Sequence, residues 1–320
     1  MHVPDGVLSP QVAAATGVVA AVGLGYGLRT LRARLRERTT VLMGTMAAFV
    51  FAAQMVNFPL FPLPISGHLL GGVLAAVVLG PWAGAVVIAA VLIVQCFLFA
   101  DGGLTALGAN FVNMGLIGAV GGHAIYAPLR RAIGGKVGVL LGAMAAAWFS
   151  VILASGAFAV ELALSAPVNF SEILGWMTLV HAGIGLGEAV ITGLVVRFLL
   201  LLRPDLIEDI TPVPTSRAGR WGQVAGAGLA IAMAVAIFLA PLASKYADGL
   251  EFVGGRLGFL PKEERPVLKA PFPDYALPGV RFATAAAGLV GTAAVFGVGL
   301  ALAGAFAAGK PAERVGVDAA

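Results

Sequence analysis

Charged residues are scarce in this chain of 320 residues, since Asp, Glu, Lys and Arg make up only 11% of it. Soluble domains carry about 25% charged residues, so a water-soluble globule with this composition could not cover itself with polar groups. The scarcity excludes an ordinary cytosolic enzyme, and the 59% of hydrophobic residues excludes a disordered protein. The formal net charge of +4 is too small to indicate nucleic-acid binding.

Cysteine is almost absent, because Cys96 is the one cysteine in the sequence. A single thiol excludes a disulfide framework within this chain, and with it a disulfide-stapled secreted module. It also excludes a zinc site made of several cysteines. Glycine, by contrast, is abundant, and its 44 copies suit the close packing of helices in a lipid bilayer.

Long apolar segments dominate the rest of the sequence. They are about 15 to 28 residues long, and most of them are long enough to cross a hydrocarbon core of about 30 Å. The nine segments are residues 12–28, 40–58, 65–79, 82–100, 111–128, 139–162, 176–201, 224–243 and 280–307. Because they lack alternating apolar and polar residues, they predict helices and therefore an all-α integral membrane protein. The third segment is short and glycine-rich, which indicates a re-entrant or broken helix.

Basic residues predict the orientation of these spans. Fourteen of the twenty Lys and Arg residues fall in segments that the positive-inside rule assigns to the cytoplasm. They are Arg29, Arg32, Arg34, Arg36, Arg38, Arg130, Arg131, Lys136, Arg197, Arg203, Arg217, Arg220, Lys310 and Arg314. The N-terminus is therefore expected outside and the C-terminus inside, with an odd number of spans. No basic stretch precedes the first apolar segment, so we expect no cleaved signal peptide.

The sequence divides into two membrane units. Residues 1–203 predict a compact bundle of seven helices, and residues 204–222 predict a polar cytoplasmic linker. Residues 223–307 predict a hairpin of two spans with an outer loop at 244–279. This loop is longer than a simple connection needs, which indicates a function or a contact with a partner. Residues 308–320 predict a polar cytoplasmic tail.

The start of the chain is a candidate metal chelate. The α-amine of Met1, the amide nitrogen of His2 and the imidazole of His2 can form fused rings around one divalent cation. A near-planar set of nitrogens suits Ni²⁺ or Cu²⁺ better than Zn²⁺, which prefers tetrahedral geometry. Pro4, Asp5 and Gly6 predict a turn that folds this segment back toward the bundle. The alternative is a disordered start with a chance histidine.

His68 would supply a fourth nitrogen on the same predicted membrane face. The glycines in residues 66–72 allow the backbone to approach a ligand closely. The outer loop between the fourth and fifth segments adds Asp101, Asn110 and Asn113, which are candidates for hydrogen-bonding a ligating histidine. The alternatives are an interfacial histidine for His68 and a turn with a helix cap for the outer loop.

Other polar features give weaker signals. His181 and Glu188 lie seven residues apart and so share a helix face, where they could form a buried polar pair that carries protons. His123 fits interfacial packing instead. Residues 304–310 begin like a phosphate loop, but Pro311 stands where that motif requires Ser or Thr. We therefore expect any ATP hydrolysis in partner chains.

Three segments together resemble one family of transporters. Residues 1–10, which read Met-His-Val-Pro-Asp-Gly-Val-Leu-Ser-Pro, resemble the start of the nickel/cobalt substrate-capture subunits (NikM/CbiM type) of energy-coupling-factor transporters. Residues 66–72 and 101–114 resemble their second metal-binding stretch and their long outer loop. The hairpin resembles the small companion subunit (NikN/CbiN type), with Ala-Asp-Gly-Leu-Glu at 247–251 in place of Pro-Asp-Gly-Leu-Glu.

The resemblance implies a function and a set of partners. It implies a multi-pass subunit in the inner (plasma) membrane that binds Ni²⁺ or Co²⁺ as the transported substrate through Met1, His2 and His68. It implies a transmembrane coupling protein (NikQ/CbiQ type) and ATPase subunits (NikO/CbiO type) as partners. This chain would then hold no catalytic residue and no organic cofactor.

Two alternatives from other functional classes stay open. The first is a secondary metal transporter coupled to protons through His181 and Glu188. The second is a membrane sensor or assembly protein that does not transport and works through the loop at 244–279.

Overall fold

The computed structural model describes residues 2–32, 37–207, 221–260, 266–276 and 282–307. Most of these residues are helical, so the prediction of a mostly helical membrane protein is confirmed. Met1, most of the predicted linker and the predicted tail lie outside the described residues.

Eleven α-helices make up most of the described chain. They are α1 (Pro10–Arg32), α2 (Glu37–Gln54), α3 (Gly72–Leu79), α4 (Pro81–Val94), α5 (Leu107–Asn110), α6 (Gly122–Ile133), α7 (Gly135–Ser165), α8 (Phe170–Leu202), α9 (Trp221–Ala234), α10 (Gly249–Leu257) and α11 (Ala283–Ala307). π-Helical segments continue α4, join α5 to α6 and continue α9, at Gln95–Phe99, Phe111–Gly121 and Val235–Leu239. Short 3₁₀ turns lie at Pro204–Leu206, Ala240–Leu242 and Pro273–Tyr275.

Six helices of the described chain are long and apolar enough to cross a membrane. They are Pro10–Arg32, Pro81–Phe99, Gly135–Ser165, Phe170–Leu202, Trp221–Leu242 and Ala283–Gly304. Each of them overlaps one of the nine predicted segments. The other three predicted segments correspond to α2, to the short α3 and to the mixed α- and π-helical stretch from α5 to α6.

The third predicted segment is a broken helix, as its short length and its glycines indicated. Its first part forms a two-residue strand, β2 (Ser66–Gly67), which pairs antiparallel with β1 (Phe58–Pro59), so that Phe58 lies opposite Gly67. These strands also correct the strictly all-α prediction. The prolines between them remove backbone donors that a helix would need. Helix α3 starts only after Gly71, whose φ of 77° is easy for glycine and costly for other residues.

The middle of the bundle is formed by α3 and α4. Every residue of α3 is buried, and both helices are apolar on all sides, which is typical of helices surrounded by protein. Long helices α7 and α8 pack along each other, while α2 packs against both α9 and α11 of the hairpin. Helix α10, in the loop of the hairpin, packs on α8. The segment that carries His68 therefore has three neighbours: the central pair of α3 and α4, helix α8 and helix α10.

Candidate metal site

The N-terminal segment is held against the loop that follows α4. The backbone N–H of Val3 donates to Asn110 Oδ1 at 2.8 Å, and Asn110 Nδ2 donates back to the Val3 carbonyl at 3.1 Å. The N–H of Gly103 donates to the same carbonyl at 2.9 Å. Val3 is fully buried. These contacts direct the adjacent His2 into the protein.

Asp5 fixes the turn that follows. Its Oδ1 accepts from the Thr105 N–H at 2.8 Å and from the Thr105 hydroxyl at 2.6 Å, and its Oδ2 accepts from the Val267 N–H at 3.0 Å. Burial raises the pKa of Asp5, but these hydrogen bonds outweigh that effect and hold its pKa below the ordinary value. A Cβ on Gly103 would collide with the backbone of Asp5, so this close approach depends on glycine.

The two predicted histidine ligands lie side by side. The ring centroids of His2 and His68 are 5.3 Å apart, and the side chains are 7% and 8% exposed. His2 Nδ1 is buried and has no hydrogen-bond partner among the described residues, although Asp101 Oδ1 lies 3.7 Å away. A buried imidazole nitrogen without a partner is costly unless a ligand fills the place.

The protonation of His2 suits metal binding. Burial lowers the pKa of His2, although the nearby Asp101 carboxylate opposes this. The imidazole is therefore neutral at neutral pH, which is the form that binds metal. The described residues contain no group of three His, Cys, Asp or Glu side chains arranged to hold a metal. Two imidazoles alone are too few, so a site here requires backbone or amine nitrogens; Met1 lies outside the described residues.

The position of His68 is set by the backbone that follows it. Glu188 on α8 accepts hydrogen bonds from the N–H groups of Leu70 and Gly71, at 2.6 and 2.9 Å. Gln54 on α2 donates to the Leu70 carbonyl at 2.8 Å. Glu188 is fully buried. A carboxylate that takes two adjacent N–H groups fixes this turn and the start of α3.

The predicted pair of His181 and Glu188 does not form. His181 Nδ1 donates to the carbonyl of Met177, one turn earlier in α8, at 2.8 Å. Seven residues span about 10 Å of helix, which is too far for these side chains when each has a nearer partner. His181 Nε2 is buried without a hydrogen-bond partner among the described residues. It lines a cavity of about 10 Å³ with His68 and Asp248, which is space for about one water molecule.

The three outer-loop residues have different surroundings. Asp101 lies beside His2, and its Oδ2 accepts from the Tyr275 hydroxyl at 2.6 Å. Burial and the Asp101 carboxylate raise the pKa of Tyr275 well above its ordinary value, so the phenol stays a donor. Asn110 holds the backbone next to His2, as described above. Asn113 instead donates to Glu161 on α7 at 2.9 Å, which points to a role in packing.

The hairpin loop contacts His68 and His181, and the sequence did not predict this contact. Asp248 caps α10: its Oδ1 accepts from the Glu251 N–H, and Glu251 Oε2 accepts from the Asp248 N–H, both at 2.8 Å. The second oxygen, Oδ2, lies 3.9 Å from His68 Nε2. A Cβ on Gly249 would lie 2.9 Å from His181 Cε1. The one signal in the sequence is the Asp-x-x-Glu spacing of a capping box, which predicts the helix but not its contact.

Two known families match the two units of the chain. The family described as "Cobalt uptake substrate-specific transmembrane region" matches residues 2–206. The family described as "PDGLE domain" matches residues 222–308.

Relatives of the whole chain and of its first unit are known. A protein of Archaeoglobus fulgidus, named provisionally as a fused nickel transport protein NikMN, is 37% identical over 308 residues, which cover 94% of this chain and 98% of that protein. A fused nickel transport protein NikMN of Rhodobacter capsulatus is 35% identical over 223 residues, covering 65% of this chain and 64% of that protein. The crystal structure of a truncated transition metal transporter has a TM-score of 0.57 and 31% identity, and covers 63% of this chain and 99% of that one.

Proposed function

Because the chain belongs to the family of cobalt-uptake substrate-specific transmembrane regions and carries a fused PDGLE domain, we propose that it captures Ni²⁺ or Co²⁺ for an energy-coupling-factor importer. The family is one of transporter components and not of enzymes. The observation that carries the proposal is the buried pair of His2 and His68, with His2 Nδ1 left without a hydrogen-bond partner in the described part of the chain.

The proposed metal site combines four nitrogens. The amine of Met1, the amide nitrogen of His2 and His2 Nδ1 form the chelate, and His68 supplies the fourth nitrogen. The support is the fixed backbone of Val3, which turns His2 inward, and the Glu188 contacts that hold the turn after His68. Four nitrogens in a near-plane favour nickel, while the family description names cobalt.

The proposed assembly follows from the family as well. We place the site at the outer membrane face, with the N-terminus outside, residues 1–203 as the capture unit and residues 223–307 as the hairpin. A coupling protein and ATPase subunits would drive release inward. Uptake by cells that lack the ATPase partners, together with its collapse on adding a protonophore, would instead favour a proton-coupled secondary transporter.

The first prediction concerns the two histidines with unpartnered nitrogens. His2→Ala should abolish Ni²⁺ binding by the purified full chain, because it removes one ring of the chelate. His181→Ala should leave most of the binding, because His181 is not one of the four proposed ligands and its Nδ1 donates to the Met177 carbonyl. Isothermal titration calorimetry with Ni²⁺ measures both variants, and equal losses in the two would contradict the assignment.

A further inference from the structure

We propose that Asp248, which the hairpin supplies, is the carboxylate that neutralises the bound metal, so that the fused hairpin completes the capture site. The inference rests on the proposed function, because it takes His2 and His68 as metal ligands. It assigns a specific role to one residue of a loop whose sequence alone shows only a helix cap.

The position of Asp248 is fixed from two sides. Its capping box with Glu251 sets the start of α10, as described above. Just before it, the Ser66 N–H donates to the Ala247 carbonyl at 2.8 Å, and the Ser66 hydroxyl donates to the Tyr246 carbonyl at 2.7 Å. Ser66 lies two residues before His68 and is fully buried. The hairpin backbone is therefore tied directly to the segment that carries the imidazole.

The charge of the proposed complex requires a nearby anion. A divalent ion bound to one deprotonated amide, one neutral amine and two neutral imidazoles keeps a net charge of +1. An uncompensated charge in a buried site is costly, and a carboxylate within contact distance offsets that cost. With Asp248 the net charge of the complex becomes zero.

Asp248 is better placed for this role than Asp101. The Asp248 side chain is 16% exposed, whereas the Asp101 side chain is 29% exposed and so more screened by solvent. Each residue has one oxygen in a hydrogen bond, Asp101 with the Tyr275 hydroxyl and Asp248 with the Glu251 N–H, so their exposure to solvent is what distinguishes them. Asp248 Oδ2 is the oxygen that lies 3.9 Å from His68 Nε2.

The backbone decides which nitrogen of His68 would bind the metal. His68 Nδ1 donates to the Leu69 carbonyl at 3.0 Å, so Nε2 carries the lone pair and is the nitrogen that would coordinate the ion. With Nε2 as the ligand, the Asp248 carboxylate would lie beside the ion, because its Oδ2 is 3.9 Å from Nε2. Both side chains line the cavity of about 10 Å³ described above.

The test is Ni²⁺ titration of Asp248→Asn in the full chain. Asn is a good helix cap and keeps the size of the side chain, so the variant removes the charge and little else. We expect the Kd for Ni²⁺ to rise by about 10- to 100-fold, the range typical of groups that support a metal ligand. Asp248→Ser, a second neutral cap, should show a similar rise. Thermal unfolding without metal verifies that both variants are folded.

The matched control is Glu251→Gln. It removes the other carboxylate of the same capping box, but Glu251 is exposed and Gln also serves in a capping box, so the Kd should stay near the wild-type value. Unchanged affinity in both Asp248 variants, with binding still abolished by His2→Ala, would overturn the role of Asp248 and leave the proposed function standing. A wild-type chain that binds no Ni²⁺ would overturn both.

Discussion

At the scale of single residues, the site depends on side chains that hold backbone in place. Asn110 does so for Val3, and Glu188 does so for Leu70 and Gly71. These contacts fix the backbone next to each of the two imidazoles, whose ring centroids are 5.3 Å apart. His2 is the clearest case, since its Nδ1 is buried and has no hydrogen-bond partner among the described residues.

Nickel affinity should fall as the pH is lowered from about 8 to about 5. The α-amine, with an ordinary pKa of about 7.7–8.0, and the amide both lose protons on binding, which costs on the order of tenfold in affinity per proton and pH unit. Burial lowers the pKa of His2, so its imidazole is already neutral at the start of this range, and the amine and the amide account for the predicted dependence. Calorimetric titrations across the range measure the effect, and constant affinity would contradict the chelate.

Residue chemistry explains which part of the site could be predicted from sequence. The chelating spacing of Met1 and His2 is local, so it is visible without a fold. His68 could be predicted because proline and glycine around it indicate irregular backbone at a membrane face. Asp248 and Glu188 could not, because their contacts with the His68 segment cross about 180 and 120 positions of the chain, and helical periodicity says nothing about such contacts.

At the scale of elements, the irregular stretch between α2 and α3 carries His68, one of the proposed metal ligands. The long helices follow the apolar segments closely, because helix formation in lipid is dictated by length and hydrophobicity. The stretch from β1 to Gly71 differs, since prolines and a positive φ interrupt the apolar pattern. Its backbone is held by groups from α2, α8 and the hairpin loop, which replace the hydrogen bonds that a helix would make.

Glu188→Gln should destabilise this stretch. In the wild type, each carboxylate oxygen of Glu188 accepts a hydrogen bond from one backbone N–H. The amide of Gln has only one oxygen, and its NH₂ group would face the other N–H, so one buried donor loses its partner. The expected loss is about 1–3 kcal/mol in the free energy of unfolding, together with weaker Ni²⁺ binding because the turn after His68 loosens. Thermal unfolding in detergent and Ni²⁺ titration measure the two effects.

The control for Glu188→Gln is Glu172→Gln on the same helix. The Glu172 side chain is exposed in the first turn of α8, so its loss should change stability by less than about 0.5 kcal/mol. Equal stability of the two variants would show that Glu188 does not anchor the turn.

At the scale of the whole molecule, the hairpin is built into the capture unit instead of lying beside it. Two backbone hydrogen bonds join its loop to the first unit: the Ser244 N–H donates to the Asn57 carbonyl at 2.8 Å, and the Phe272 N–H donates to the Leu98 carbonyl at 2.9 Å. Val267 and Tyr275 add the contacts to Asp5 and Asp101 described above. The loop thus contacts both the β1 region and the N-terminal turn, so one connection closes around the proposed site.

Helix α1 has the opposite character. Only 6% of the most apolar 18-residue stretch of this helix is buried in the protein. Large side chains such as Val18, Val22 and Tyr26 are more than half exposed. An apolar exposed helix is expected to face lipid or a membrane partner. Gly17 on this helix packs against Gly108 of this chain, since a Cβ on Gly108 would collide with the Gly17 backbone.

The most direct measurement of the central claim is a crystal structure of the Ni²⁺-loaded protein that begins at Met1. The account predicts one ion bound by the terminal amine, the amide nitrogen and Nδ1 of His2, and one nitrogen of His68, with the Asp248 carboxylate beside it. An ion held elsewhere, with the first two residues away from it, would contradict the account.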